Sequence, residues 1–449
     1  MGRLFGTDGV RGIANKELTP ELAFNLGKAG AYVLSKENRR PVVIIGKDTR
    51  ISGDMIENAL AAGILAVGGN VIKVGVLPTP AIAYLVKFYK ADAGVVISAS
   101  HNPFEYNGIK FFNGEGYKLD DKIEEQIEDI ILSSRNVNAN LTGDELGRCL
   151  EADDSALEKY TEFLKSTIDV DITGMKVALD CANGAAYKAA EKVYRELGAE
   201  VFVIANNPDG ININANCGST HPENLQKLVK ETGADVGLAY DGDADRLIVV
   251  DEKGDIIDGD RIICICARML KDAGKLEGNR VTATVMSNIG FHRFIEGIGA
   301  TVDVTAVGDR YVLESMLKTG SVIGGEQSGH IIFGNLTTTG DGILSSLQFL
   351  KAVKLSGKKP SELASEITIY PQVLKNAKVS NENKKKYAED PEIKAEIERL
   401  ENLMAGEGRV LIRPSGTEPL VRVMIEGSDI DKITKLAEGL AAMLTEKFA

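Results

Sequence analysis

Four short polar stretches carry the groups that could do chemistry in this chain. The first is Ser98-Ala-Ser-His-Asn-Pro103, which follows the apolar run Gly94-Val-Val-Ile97. Such a run suits a strand buried on both faces, and a hydroxyl at its carboxyl end sits where open α/β sheets place their ligands. Ser100 is therefore a candidate carrier of a phosphoryl group. Read alone, the same residues also make an ordinary Ser-rich turn opened by Asn-Pro.

The second stretch is Asp241-Gly-Asp-Ala-Asp-Arg246. In an extended segment alternate side chains share a face, so Asp241, Asp243 and Asp245 would converge. Held unpaired, they would raise one another's pKa; a hard divalent cation removes that cost, and all-oxygen ligands suit Mg²⁺ or Ca²⁺. Glu252 falls where an EF-hand has its twelfth residue, but Arg246 stands at the sixth instead of Gly and both flanks read as strands. A solvated acidic turn is the plain alternative.

The third and fourth stretches have groups that could hold sugars and anions, although a lone histidine such as His330 is more often structural. In Gly325-Glu-Gln-Ser-Gly-His330, Glu326 and Ser328 can hold sugar hydroxyls, and His330 can move a proton or bind phosphate. In Arg413-Pro-Ser-Gly-Thr-Glu-Pro419, Ser415 and Thr417 offer hydroxyls, and Gly416 lets backbone N–H groups approach. Arg413 and Arg422 can fork to phosphate oxygens. A Pro-Gly hairpin turn is the alternative there. Lys110 follows the serine loop closely, as cationic support or as a surface lysine at a strand exit. No Gly-x-x-x-x-Gly-Lys-[Ser/Thr] occurs, which excludes a P-loop nucleotide site.

The elements that position these loops alternate. Val42–Gly46, a helix over 52–67, Val71–Val76 and Val95–Ile97 give a parallel α/β unit. Thr19-Pro20 opens a helix as N-cap and first residue. A second unit runs from Met175–Asp180 to the hairpin Leu247–Ile257, and a third opens at Asp260. Each unit ends a buried strand in a short polar loop. After Ile367 the texture becomes α+β: a charged helix over 381–401, two strands around the Arg413 loop, and a closing helix over 430–448. The predicted domains are 1–155, 156–257, 258–367 and 368–449.

Composition narrows the partners. The chain has 449 residues, 44% hydrophobic and 26% charged, enough for several globular domains. A net charge of -13 argues against a general nucleic-acid binder, while local arginines or a metal can still hold an anionic substrate. Five cysteines in no framework spacing, no basic-then-apolar leader and no membrane-length apolar run predict a cytoplasmic protein without a membrane partner. Cys264 and Cys266 read as buried thiols, and the sequons at Asn140 and Asn335 as unused.

Together the four stretches, in this order, resemble the α-D-phosphohexomutase superfamily over essentially the whole chain, and within it the bacterial phosphoglucosamine mutase branch most closely. Phe5-Gly-Thr-Asp-Gly-Val-Arg-Gly12 is similar to that branch, as is Gln327, where phosphomanno/phosphoglucomutases typically carry Met. Ala244 stands where the family often has Gly. The resemblance implies three similar α/β domains with mixed sheets and a smaller C-terminal α+β domain around a central cleft. It implies a phosphoserine at Ser100, required for activity, and one Mg²⁺ on Asp241, Asp243, Asp245 and the Ser100 phosphate.

The implied reaction interconverts glucosamine 6-phosphate and glucosamine 1-phosphate through a hexosamine 1,6-bisphosphate. Arg11, Lys110 and His330 would join Ser100 in catalysis. Arg246, Glu326, Ser328, Arg413, Ser415, Gly416, Thr417 and Arg422 would bind the substrate. A phosphomannomutase/phosphoglucomutase, a metal-dependent sugar phosphatase and a non-catalytic sugar-phosphate binder are the competing readings, and a homodimer is left open.

Overall fold

A computed structural model of the chain describes residues 4–6, 8–35, 40–135, 137, 141–150, 155–404, 406–415 and 418–449. The expectations placed on Asn140, on the boundary before Ser155, and on Gly416 and Thr417 lie outside the described residues. The chain forms two compact units, one of Met1–Met286 with Ile298–Glu366 and one of Ser287–Gly297 with Ile367–Ala449.

The first unit holds three sheets. One contains β1 (Val10–Ile13), β2 (Val42–Lys47), β3 (Asn70–Val76), β4 (Ala93–Ile97), β5 (Tyr106–Asn113) and β6 (Cys149–Leu150), in the order β1-β5-β4-β2-β3-β6. The next contains β7 (Lys176–Asp180), β8 (Glu200–Ile204), β9 (Val236–Tyr240), β10 (Leu247–Asp251) and β11 (Ile256–Ile257), in the order β11-β10-β9-β7-β8. The third contains β12 (Arg280–Thr284), β13 (Thr301–Thr305), β14 (Ile323–Gly325) and β15 (Ile331–Phe333), in the order β13-β12-β14-β15.

One plan runs through all three. A first strand (β2, β7, β12) lies parallel between a second (β3, β8, β13) and a third (β4, β9, β14). A fourth (β5, β10, β15) returns antiparallel beside the third. The serine, aspartate and Glu326–His330 stretches all leave the carboxyl end of that third strand. Because β4 and β9 are buried along their whole length, side chains on both faces are apolar and the polar residues are confined to the loops.

Local signals explain the helices. Thr19 caps Pro20–Leu34 by accepting from Leu22 N, with Pro at the start, as its sequence predicts. Asp258 and Asp341 do the same for Gly259–Asp272 and Gly342–Ser356. Cys264 and Cys266 are buried in the former. No helix among the described residues is long and apolar enough to cross a membrane.

The second unit contains β16 (Gln372–Lys378), β17 (Gly408–Pro414) and β18 (Leu420–Gly427), antiparallel in the order β16-β18-β17. Ile393, Leu400, Val423, Ile425, Ile433, Leu440 and Leu444 form its core. The helix expected from Asn381 starts only at Pro391, apart from one short turn at Lys386–Ala388. Asp390 precedes a proline, which keeps it extended, and its carboxylate caps Glu392 and Ile393. Helix Ile289–Gly297 also belongs here: Ile289 N donates to the fully buried Glu426, which Arg409 neutralises.

Helices Pro20–Leu34 and Gly53–Ala66 approach closely through glycine. A Cβ on Gly63 would overlap the Phe24 carbonyl oxygen, and one on Gly27 the Leu60 carbonyl oxygen. Gly63→Ala should therefore lower stability by about 2 kcal/mol, although helix propensity alone would raise it by about 1 kcal/mol. Urea unfolding of the variant reads the sign directly.

Candidate active site

The serine loop is held by its backbone. Ser98 Oγ donates to Asp48 Oδ2 at 2.6 Å and accepts from Ser100 N at 2.9 Å. Ser100 itself adopts φ +52°, a left-handed conformation that costs a non-glycine residue about 1–2 kcal/mol. Two side chains fix it there. Arg50 Nη2 donates to the carbonyls of Ser100 (2.9 Å) and Asn102 (2.8 Å), and Asn214 Nδ2 donates to the same two oxygens at 2.9 and 3.1 Å. Asp48 pairs with Arg50 at 2.8 Å, and both are buried.

This places Ser100 Oγ 2.5 Å from Asp241 Oδ2, to which it donates. One ligand oxygen from each of Asp241, Asp243 and Asp245 lies within 4.8 Å of the others, all buried. The segment is not the extended run expected from its alternation. It is a turn, closed by Ala244 N donating to Asp241 O at 3.1 Å, with Ala244 at φ +56°. The carboxylates still converge because the left-handed residue turns the chain back between Asp243 and Asp245. Glycine would adopt that conformation freely, so the alanine is a strained choice.

The charges there are unevenly compensated. Burial, then Asp245 and Asp243, push the Asp241 carboxyl well above the usual range. Burial and Asp243 raise Asp245. For Asp243 burial acts in the same direction, but Lys110 and a 2.7 Å hydrogen bond from Thr79 Oγ1 prevail and hold it low. Asp243 Oδ1 and Asp245 Oδ1 have no hydrogen-bond partner among the described residues. An all-oxygen set with unpaired, buried oxygens fits a hard divalent cation, so the trio could bind a metal. Glu252 takes no part; it accepts from Ser361 N and Oγ, away from any EF-hand arrangement.

Lys110 lies inside β5 and is 2% exposed, so it is not a surface lysine. Its Nζ is 3.1 Å from Asp243, 3.3 Å from Asp8 and 3.7 Å from Asp245. Burial alone would lower its pKa, but these three carboxylates raise it. His330 is 3% exposed, its ring nitrogens make no hydrogen bond among the described residues, and Nε2 lies 3.3 Å from Asp309 and 3.9 Å from Asp245. Arg246 Nε is 4.0 Å from Asp245, and Arg11 pairs with Asp8. Glu326 accepts from Gly308 N at 3.0 Å, and Ser328 is exposed beside it.

In the second unit Arg413 and Arg422 stand opposite each other across β17 and β18. Burial and Arg422 together lower the Arg413 pKa, an arrangement that an anion between them would relieve. Ser415 Oγ accepts from Glu418 N at 3.2 Å.

Of the residues singled out from the sequence, the structure brings together Ser100, the three aspartates, Lys110, Arg246 and His330. Sequence reasoning missed Asp8, Asp48, Arg50, Thr79, Lys118, Asn214 and Asp309. Lys47-Asp-Thr-Arg50 carried a readable signal as the polar exit of a buried strand; the others look like ordinary loop residues.

Comparison with known proteins agrees over the full length. Family models described as phosphoglucomutase/phosphomannomutase match the chain in order: alpha/beta/alpha domain I at residues 2–138, domain II at 158–254, domain III at 258–370 and the C-terminal domain at 374–443. Phosphoglucosamine mutase of Caldanaerobacter subterraneus subsp. tengcongensis is 60% identical over 447 residues, covering 100% of both chains. That of Alkaliphilus oremlandii is 58% identical over 448 residues, again 100% of both. Among solved structures, a phosphoglucomutase/phosphomannomutase family protein of Burkholderia thailandensis shares the fold with TM-score 0.81 at 24% identity, covering 99% of this chain and 98% of that one. So does Aspergillus fumigatus N-acetylphosphoglucosamine mutase, solved with GlcNAc-6P and magnesium, with TM-score 0.70 at 18% identity, covering 100% and 96%. Four parts in the same order, and whole-length identity of this level, mean that the chain belongs to the phosphoglucomutase/phosphomannomutase family, on its phosphoglucosamine mutase branch.

Proposed function

We propose that the chain interconverts glucosamine 6-phosphate and glucosamine 1-phosphate, with Ser100 as the phosphoryl carrier. The carrying observation is the Ser100 hydroxyl 2.5 Å from Asp241, at the mouth of a buried carboxylate trio. A neutral serine is a poor nucleophile, but a phosphoserine in a site that neutralises charge is a good donor. In the forward direction the P–Oγ bond of phospho-Ser100 breaks and a P–O1 bond forms on the 6-phosphate; the O1 proton leaves to a base and Ser100 Oγ takes up a proton. The resulting 1,6-bisphosphate turns round, the P–O6 bond breaks and a P–Oγ bond forms again, Ser100 Oγ giving up its proton and O6 gaining one.

Asp241, Asp243, Asp245 and the Ser100 phosphate are the groups to hold one Mg²⁺, which would neutralise charge on the transferring group. Lys110, kept protonated by three carboxylates, serves as a fixed positive charge against the same oxygens. His330, buried with Nε2 3.3 Å from Asp309 and no ring hydrogen bond among the described residues, is placed to exchange the hydroxyl proton, and Arg11 and Arg246 supply further positive charge. Glu326 and Ser328 bind sugar hydroxyls. Arg413, Ser415, Gly416, Thr417 and Arg422 grip the phosphate that is not being transferred. The proposed domains 1–155, 156–257 and 258–367 carry the Ser100, Asp241 and Glu326 loops, and 368–449 carries the Arg413 loop. Five free cysteines support a cytoplasmic setting.

Ser100→Ala should lower kcat with glucosamine 6-phosphate by at least about 10⁴-fold while leaving the unfolding temperature near that of the wild type. Intact mass of the active wild type should show one phosphoryl group on Ser100. Retained turnover in the variant would refute the role.

A second expectation concerns pH. Mg²⁺ needs ionised carboxylates, and Asp241 and Asp245 are shifted upward, so protons compete with the metal until the pH exceeds those raised values. Thermal stabilisation by added Mg²⁺ should thus be larger at pH about 8 than at about 5.5. Asp241→Asn should abolish the Mg²⁺ effect and stabilise the metal-free protein, because one of three repelling charges is gone.

A further inference from the structure

Asp309, Lys118 and Asp8 lie outside the four stretches in which the chemistry was sought, yet they close one side of the same site. Asp309 opens helix Asp309–Thr319, Lys118 follows β5, and Asp8 precedes β1. Lys118 Nζ bonds Asp309 Oδ2 and lies 2.9 Å from Asp8 Oδ1. Asp309 Oδ2 is 3.3 Å from His330 Nε2. The residue before it, Gly308, donates its N–H to Glu326 at 3.0 Å. Two carboxylates, Glu326 and Asp309, therefore flank the same stretch of backbone beside His330.

We propose that Asp309 selects an amino sugar by pairing with the ammonium at C2, a proposal that rests on the reading of Glu326 and Ser328 as hydroxyl holders. The held hydroxyl is taken as that on C3, whose immediate neighbour on a hexose ring is the C2 substituent. A group next to the hydroxyl holder therefore meets whatever C2 carries, in one of the two orientations that the bisphosphate adopts. Lys118 is the counter-ion of Asp309 in the free protein. Asp8 offers Lys118 a second carboxylate, so Asp309 can turn to the substrate without stranding a buried ammonium. Lys118, Asp8 and His330 are the charged or titratable groups that face Asp309 from other elements. Arg310, beside it on its own helix, is engaged by Asp121, Glu124 and Glu314. A neutral C2 hydroxyl would give the carboxylate a weaker partner than the lysine it releases, so glucose phosphates would bind less well.

The test is calorimetric binding of glucosamine 6-phosphate and glucose 6-phosphate to the full chain, with mutase turnover of glucosamine 6-phosphate measured on the same preparation. Asp309→Asn should weaken glucosamine 6-phosphate about tenfold and glucose 6-phosphate by less than about twofold. Equal weakening of both overturns the proposal. In the wild type alone, the preference for the amino sugar should shrink as pH rises past the amine pKa, about 8. An unchanged preference overturns it even if the variant fails to fold. Wild-type turnover without pH-dependent discrimination sinks this proposal alone. Discrimination without turnover sinks the mutase reading and leaves the recognition standing.

Discussion

Three carboxylates and a serine hydroxyl are packed where water cannot screen them, and everything nearby answers to that. Desolvation and mutual repulsion make full ionisation of Asp241, Asp243 and Asp245 unfavourable without a counter-charge. Lys110 supplies a fixed counter-charge that acts chiefly on Asp243, and Arg246 a further one beside Asp245. What remains is a deficit of positive charge beside the Ser100 hydroxyl, which a hard divalent cation would meet.

Holding such a cluster takes a rigid frame, which the three sheets provide by repetition. In each sheet the loop leaves the third strand and returns along an antiparallel fourth, so its two ends are pinned by ladder hydrogen bonds. Cross-links then tie the loops to one another. Thr79 N donates to Asp243 O, Gly342 N donates to Ala244 O, and Leu247 N donates to Gly329 O. Arg50, in the loop after β2, and Asn214, in the loop after β8, both grip the serine loop. Glycines allow the loops to touch. A Cβ on Gly242 would fall 2.5 Å from Ser100 O, and one on Gly340 the same distance from His330 Nε2. The left-handed conformations of Ser100 and Ala244 persist because so many contacts over-determine them.

Much of the candidate site was legible because its residues cluster in short stretches at strand ends. Apolar runs such as Val236–Tyr240 signal buried strands, and polar residues directly after them have to be at an exit. The alternating aspartates pointed to a site that could bind a cation, although the extended geometry expected of them was wrong. Alternation suggested an extended strand, whereas a left-handed alanine makes a turn, and nothing in the type Ala points to a positive φ. The late start of helix Pro391–Leu403 was readable from Asp390-Pro391 and was overrun by counting charge instead of caps. Helix Ile289–Gly297 lies within the sequence of the third α/β region but is bonded to Glu426 and Tyr370 of the second unit. Only a long-range hydrogen bond assigns it there.

Residue order by itself determined the strand and helix types and the family, and pointed to the loops with the groups for chemistry, because these depend on neighbours within a few positions. The tertiary structure alone decided which charges meet. Asp8, Lys110, Lys118, Asp309 and His330 are spread over more than three hundred positions, yet neighbouring members of this set lie within hydrogen-bond or ion-pair reach. Coulombic and desolvation energies depend on through-space distance and on exclusion of water, and the order of residues along a chain encodes neither until the sheets have packed.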